Sequence, residues 1–415
     1  MRKIKIAVWL NKNYQPDVGG GFSYYDRLVE GIDKYEFDPT LDICFVTESI
    51  GSNNVLSKPI VQLFYKPKTE KPKIRDRVIM KLPYIGKIIK RRFYQNLEKR
   101  QNQQKNEAYN IILKNSSVDI IYYICQAECA LLDFPFIATN WDIGHCSTFA
   151  FPELITDRGF GFELRNNFYS QVLPRALMIF VESLTGKSEI LKYTKIGEHK
   201  LRVVPIFAGN CVNIVVPDAE QKKILEKYGL EKNSFFFYPA QFWAHKNHSL
   251  LLKSFAKLSA IFPKYKLVLT GADYGNLEYI QSLAQQFNIE NKVLFLGFVP
   301  INCINTFYLN TTSLIMPSYL GPTNMPPIEA MELGCPVICS DIEGHHEILG
   351  EAAIYFNPMN ENELYDAMVR MINNPEVYRE LITRRNEKSV FKIDYSINKM
   401  NEYFKEIAII RSAWK

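Results

Sequence analysis

A chain of 415 residues exceeds what one ordinary hydrophobic core serves, and it predicts two domains. Its 47% hydrophobic and 13% aromatic content excludes a disordered polymer, and a net charge of only +6 excludes a generally nucleic-acid-binding surface. The charge is local: residues 66–105 hold 14 Lys or Arg against three acids, a surplus of +11, so the remainder carries −5.

In chain order, the opening text MRKIKIAVWLNKN has an apolar stretch too short for a secretion signal and reads as a first buried strand. Short apolar runs then alternate with helix-length amphipathic text, the pattern of parallel sheets built from βαβ units. The first half predicts strands over 4–10, 41–47, 118–124, 136–141, 178–182 and 201–205. The second half predicts them over 234–239, 266–270, 292–296, 313–316, 337–340 and 353–356. The break falls near residues 206–214, and text beyond 374 reads as nearly continuous helix. The expected division is 1–209, 210–392 and a terminal helix 393–415 packing back toward the first domain. No apolar run approaches the length of a membrane span. The eight cysteines form no CxxC pair; Cys125/Cys129 and Cys335/Cys339 lack histidines at metal-ligand spacing, so reduced core thiols are expected. Two doubly wound α/β domains facing each other make a cleft at the carboxyl ends of both sheets, where ligands bind.

Four stretches carry chemistry toward that cleft. Residues 317–341, PSYLGPTNMPPIEAMELGCPVICSD, run from a strand end through a polar loop into a helix opened by prolines. Helix N-terminal N–H groups suit a diphosphate, and Glu329 on the same turn suits a pair of vicinal hydroxyls. Residues 238–255 place Lys246 on a loop before a helix, with Asn247 as the expected N-cap, where an ammonium meets phosphate. Residues 14–23 contain Gly19, Gly20 and Gly21, which allow close approach of backbone to ligand. Residues 138–154 hold Asp142 and His145 after a strand, as a titratable pair beside an acceptor hydroxyl or as a turn cap and a half-buried imidazole.

The first stretch closely resembles the nucleotide-sugar signature of the retaining glycosyltransferases of family 4, which have the GT-B fold. The resemblance lies in PS at 317–318, PPIEA at 326–330, GCPVICSD at 334–341, Gly344, Glu347 and the AAIYFNP run. It implies a ribose-binding role for Glu329, the second glutamate of an E-x7-E pair. The first glutamate of that pair falls on Gly321, and the usual GFG is replaced by Pro322, Thr323 and Asn324. The sugar contacts would then come from Thr323, Asn324 or backbone N–H groups. Lys246 matches the lysine of a G-R-x4-K pattern whose arginine position reads Gln241, with His245 or His248 as compensating cations. Thr139, Asp142, His145 and Pro152-Glu153 match T-x-H-D-x-x-H and a nearby PE, with Trp141 at the first histidine. Thr270–Gly271 and Gly297–Val299 fall where family members contact donor base and diphosphate.

The resulting expectation is an α/β, GT-B enzyme moving a sugar from a nucleotide-diphosphate donor to a glycan or lipid-linked glycan with retention. The catalytic candidates are Asp142 and His145. The donor-binding candidates are Glu329, Lys246, Gln241, Thr323, Asn324, Met325, Pro322, Gly20, Gly21, Gly271 and Val299. No metal, cofactor or nucleic-acid partner is expected. The basic insert 66–105 mixes cations with Ile, Leu, Tyr and Phe, which suits an anionic membrane surface and a cytoplasmic, peripheral location. Rival readings are a catalytically degenerate GT-B binding subunit, or an epimerase or sugar phosphorylase of the same fold.

Overall fold

The computed structural model describes residues 3–11, 20–48, 56–67, 85–126, 133–148, 151–152 and 161–413. Thirteen strands form two sheets. The first contains β1 (Ile4–Leu10), β2 (Leu41–Thr47), β3 (Ile60–Gln62), β4 (Ile120–Tyr123), β5 (Phe136–Asn140), β6 (Met178–Val181) and β7 (Leu201–Val203), in the order β3-β2-β1-β4-β5-β6-β7. The second contains β8 (Phe235–Pro239), β9 (Lys266–Thr270), β10 (Val293–Phe295), β11 (Ser313–Met316), β12 (Val337–Ser340) and β13 (Ala353–Phe356), ordered β10-β9-β8-β11-β12-β13. Every named strand pair is parallel. Such sheets are covered by helices on both faces, so their strands are buried runs without polar alternation. β1 (IKIAVWL) and β8 (FFFYP) show this directly.

All twelve expected strands are present, several trimmed by one or two residues. The thirteenth, β3, is a three-residue edge with Ile60 exposed, so it lacks the apolar run by which strands are read. β1 divides its side chains with period two: Ile6, Val8 and Leu10 join one core, Ala7 and Trp9 the other. The core holding Ile6 continues through Phe207 and Ala208 into the second sheet, so the two halves share one apolar body. Strand order reverses between β1 and β4 in the first sheet and between β8 and β11 in the second. Described residues that follow β1, β5, β8 and β11 line one cleft.

The helical text after residue 374 is two helices, Pro375–Glu387 and Ile393–Arg411, not one continuous run. The chain breaks where Phe391 turns inward, buried, with its N–H donated to Ser389 Oγ. The last helix crosses onto the first sheet's half. Phe404 packs among Phe37, Tyr122 and Phe180 at 5.7–5.9 Å between ring centroids. Gly31 permits its close approach, since a Cβ there would lie 2.5 Å from Ile397 Cδ1.

Candidate active site

The cleft has a volume of about 670 Å³ and is lined from both halves. Its floor on the second side begins at the loop after β11. Gly321 takes φ +143°, where a Cβ would stand 2.3 Å from Asn324 Nδ2 and 2.8 Å from the Thr323 carbonyl. Only glycine fits, and this explains why no glutamate stands at this point of the motif. The loop leads into the helix Met325–Glu332. Of the orphan N–H groups that open a helix, Pro326 and Pro327 remove two, leaving those of Asn324 and Met325 beside the dipole's positive end.

Asn324 does not cap that helix with its side chain. Its amide is the centre of a chain of bonds instead. The Lys246 ammonium donates to Asn324 Oδ1 at 3.0 Å, and Asn324 Nδ2 faces His345 Nε2 at 3.1 Å. His345 Nδ1 lies 2.8 Å from the Ser340 carbonyl, to which it donates. Its Nε2 is then a lone pair accepting from the amide, which requires a neutral ring. Full burial, the largest influence, lowers the His345 pKa to about 4 and keeps it neutral. A histidine outside the expected set thus orients the lysine inside it. Lys246 is the only Lys or Arg among the described residues lining the cleft.

Glu329 is buried at 9% exposure and both its oxygens are engaged. Oε1 accepts from the Gly209 N–H at 3.2 Å, and Oε2 from the Tyr308 hydroxyl at 2.8 Å. Burial raises its pKa, opposed by the Tyr308, Cys211 and Gly209 hydrogen bonds and by Arg27. Arg27 donates to the carbonyls of Ala208 and Gly209, so the linker between the sheets is fixed on the floor of the site.

Gly271 (φ +141°) lies so close to the Ala240 carbonyl that a Cβ would be 2.4 Å from it. That contact shapes a slot lined by Ala240, Gln241, Gly271, Gly297, Phe298 and Val299. Gln241 Oε1 accepts the Trp243 indole N–H at 2.9 Å, and Trp243 stacks on Tyr274 at 4.2 Å.

From the first half come Gly21, Tyr24, Trp141, Asp142 and Glu182. The Asp142 loop is held by Gln126, whose Oε1 receives the N–H groups of Trp141 and Asp142 at 2.9 and 3.3 Å. Asp142 Oδ1 accepts the Gly144 N–H at 2.8 Å and pairs with Arg165 at 3.4 Å, so it caps its own turn while lining the cleft.

The two halves touch across the cleft's rim. Glu347 accepts from the N–H groups of Leu184 and Thr185, both at 2.8 Å, and from the Thr185 hydroxyl at 2.7 Å. A carboxylate of the second half therefore caps the first half's helix Leu184–Tyr193. Ser183 Oγ reaches the Pro322 carbonyl at 3.3 Å.

Ten of the thirteen expected residues line the cleft: Asp142, Glu329, Lys246, Gln241, Thr323, Asn324, Met325, Gly21, Gly271 and Val299. Gly20 opens the helix Gly20–Lys34; Pro322 faces Ser183 and Gly344, outside the lining. His145 is also outside it, fully buried against Tyr169 at 5.0 Å and Phe162 at 5.4 Å, with its pKa lowered to about 4 by burial. An imidazole so placed is a core ring, not a base facing substrate. His248 is equally buried, stacked on Phe242 at 4.5 Å, its pKa lowered to about 3, and cannot replace a missing cation. Asn247 takes a left-handed conformation and braces the carbonyls of Pro317 and Pro358 rather than capping its helix. Gly19 and Glu153 lie outside the described residues. Glu182 was not expected; its one sequence signal is a carboxylate ending an apolar strand run at the sheet's carboxyl edge.

Residues 220–388 match the family model of glycosyl transferases group 1. The chain is 32% identical over 218 residues to the O-antigen chain mannosyltransferase RfbU of Salmonella typhimurium, covering 52% of this chain and 55% of that protein. The chain thus spans about half the length of that curated relative. It superposes on sucrose-phosphate synthase of Thermosynechococcus elongatus with TM-score 0.70 at 18% identity, over 98% of this chain and 99% of that one. It also superposes on Anabaena HepE in complex with UDP-glucose with TM-score 0.67 at 15% identity, over 97% and 100%. At such identities the superpositions establish the architecture, two facing Rossmann-like sheets of the GT-B type. Residues 220–388, set in that fold, carry the likeness to the glycosyl transferases group 1 family.

Proposed function

We propose that the chain is a hexosyltransferase, moving a sugar from a nucleotide-diphosphate donor to a glycan or lipid-linked glycan with retention of configuration. The observation that carries the reading is the grouping of Lys246, the Asn324–Met325 helix start and the buried Glu329 along one wall of the cleft. The Lys246 cation and the helix dipole oppose the diphosphate's charge, Glu329 lies under the ribose, and the slot at Gly271 and Val299 takes the base. In transfer, the bond from the anomeric carbon to the phosphate oxygen breaks as the bond to the acceptor oxygen forms on the same face. The acceptor proton passes to the departing phosphate. This needs no imidazole, in keeping with the buried His145, and no metal to carry the phosphate charge. The resemblance to an O-antigen mannosyltransferase makes GDP-mannose the first donor to try.

The test is a thermal-shift and calorimetric screen of GDP, UDP and dTDP, followed by turnover of the matching sugar donors with and without glycan acceptors, in EDTA. Nucleotide diphosphate released only in the presence of acceptor supports transfer. Binding without any release points to the degenerate subunit, and release without acceptor to an epimerase-like or hydrolytic relative.

The helix Ile85–Asn115 supports a membrane-surface role for the acceptor side. Of its described side chains only Tyr109 and Leu113 are buried, while Lys87, Lys90, Arg91 and Arg92 are exposed beside half-exposed Ile88 and Tyr94. Among the described residues no helix is long and apolar enough to cross a membrane. Cations with interleaved apolar side chains attach to anionic headgroups at about 1 kcal/mol per cation. In a flotation assay at low salt the protein is expected to follow phosphatidylglycerol vesicles, and a Lys90→Glu, Arg91→Glu, Arg92→Glu variant to stay behind. Equal flotation with pure phosphatidylcholine would rule this role out.

A further inference from the structure

Glu182 follows β6 at the carboxyl edge of the first sheet, and its backbone has little freedom. Its carbonyl accepts the Ile206 N–H at 3.2 Å. The next residue, Ser183, caps the helix Leu184–Tyr193 by accepting from Gly186 at 2.9 Å, and Glu347 clamps the two residues after that. The side chain is thereby held in the cleft at 5% residue exposure. Oε2 receives the Thr323 hydroxyl, from the opposite half, at 2.5 Å. Oε1 has no hydrogen-bond partner among the described residues. Burial, with the neighbouring Asp142 charge adding, pushes its pKa up to about 8, though the Thr323 bond opposes this. A carboxyl group buried in the cleft in this position, with one oxygen unused, is not explained by the packing of the fold.

Its position along the loop indicates what that oxygen receives. Thr323 holds Glu182, and the next residue, Asn324, holds the Lys246 ammonium. Consecutive residues are about 3.8 Å apart, so the carboxylate and the cation flank one short piece of chain. A phosphate drawn to Lys246 gains nothing from Glu182, but the sugar bonded to that phosphate carries hydroxyls that a carboxyl oxygen accepts.

Resting on the reading of the cleft as a nucleotide-sugar site, we propose that Glu182 holds the transferred sugar. Oε1 receives hydroxyls of the donor pyranose, while Thr323 fixes Oε2 from across the cleft. The sugar subsite is therefore assembled from both halves, and the loop 321–324 contributes an orienting hydroxyl where its glycine excludes a carboxylate. The second half alone carries the nucleotide, whereas the sugar is recognised only with the halves closed as the Glu347 clamp holds them.

The experiment compares wild type, Glu182→Gln and Thr323→Val by calorimetry with GDP, UDP, GDP-mannose and UDP-glucose, and by the donor dependence of turnover. Wild-type affinity for a free nucleotide diphosphate tests the cleft itself; if no nucleotide binds, the cleft assignment fails and Glu182 with it. Given that binding, Glu182→Gln is expected to keep free-nucleotide affinity within about twofold. It should lose about tenfold or more in affinity and in donor KM for the sugar nucleotide. Thr323→Val, which removes only the orienting hydroxyl, is expected to lose about threefold on the sugar nucleotide alone, and it carries the test if Glu182→Gln does not fold. Sugar-nucleotide affinity unchanged in Glu182→Gln would overturn the assignment. So would an equal loss for nucleotide and sugar nucleotide, which would mark Glu182 as a strut between the halves.

Discussion

Gly321→Glu, which writes the absent family glutamate into the loop, is expected to abolish nucleotide binding rather than improve it. The backbone at 321 has φ +143°, a region that side chains other than glycine enter at a cost of about 1–3 kcal/mol. Sterics add to this, because the new Cβ would overlap Asn324 Nδ2 at 2.3 Å and the Thr323 carbonyl at 2.8 Å. Relief requires Asn324 to leave His345 and release the Lys246 ammonium, so the cation proposed to meet phosphate loses its orientation. Together these predict a loss of about 3 kcal/mol of stability and about 100-fold or more in nucleotide affinity. Differential scanning fluorimetry and calorimetry check both. Gly321→Ala, carrying the strain without the charge, is expected to show most of the same loss. Normal melting and binding in both variants would mean that this loop does not have the conformation described.

Glu329→Ala is expected to be the most damaging single truncation in the site, and Glu329→Gln a far milder one. Alanine leaves the Gly209 N–H and the Tyr308 hydroxyl buried without an acceptor, at about 2–4 kcal/mol together. Glutamine keeps one oxygen for the Gly209 N–H, and its amide donates to Tyr308, whose hydroxyl can turn to accept. The glutamine variant should therefore fold and lose about tenfold in nucleotide affinity if this residue serves the ribose. Its stability also responds differently to pH. Burial raises the wild-type carboxyl's pKa in the folded state, so the stability of its protonated form is complete in acid and declines as pH rises above the ordinary carboxylate range. Glutamine has no such decline. The melting temperature of Glu329→Gln relative to wild type should climb as pH rises above the ordinary carboxylate range. A pH-independent difference would show that Glu329 ionises as it does in the unfolded chain.

What the sequence makes legible is the local information. Parallel strands buried on both faces are written as apolar runs, so twelve of them could be read and only the three-residue edge Ile60–Gln62 was missed. Lys246, Asn324 and Glu329 lie at strand ends and helix starts, positions that the order of elements carries to the mouth of a doubly wound sheet. The histidines were misread for the opposite reason. A loop histidine looks alike in sequence whether its ring faces substrate or packs under Tyr169 or Phe242, and burial decides which. His345 gave no warning at all, because its role consists only of its bonds to Asn324 and Ser340.

By itself, then, the sequence determined two parallel sheets and the frame of residues 326–341, both features of periodicity and short-range spacing. Tertiary structure alone decided that Glu329 is sealed by Gly209, 120 residues away, and that Thr323 meets Glu182 across a separation of 141. It also decided that Glu347 caps a helix of the other half. Such contacts are made when two independently patterned sheets close on one another. Neither strand patterning nor loop spacing encodes which carboxylate then faces which hydroxyl.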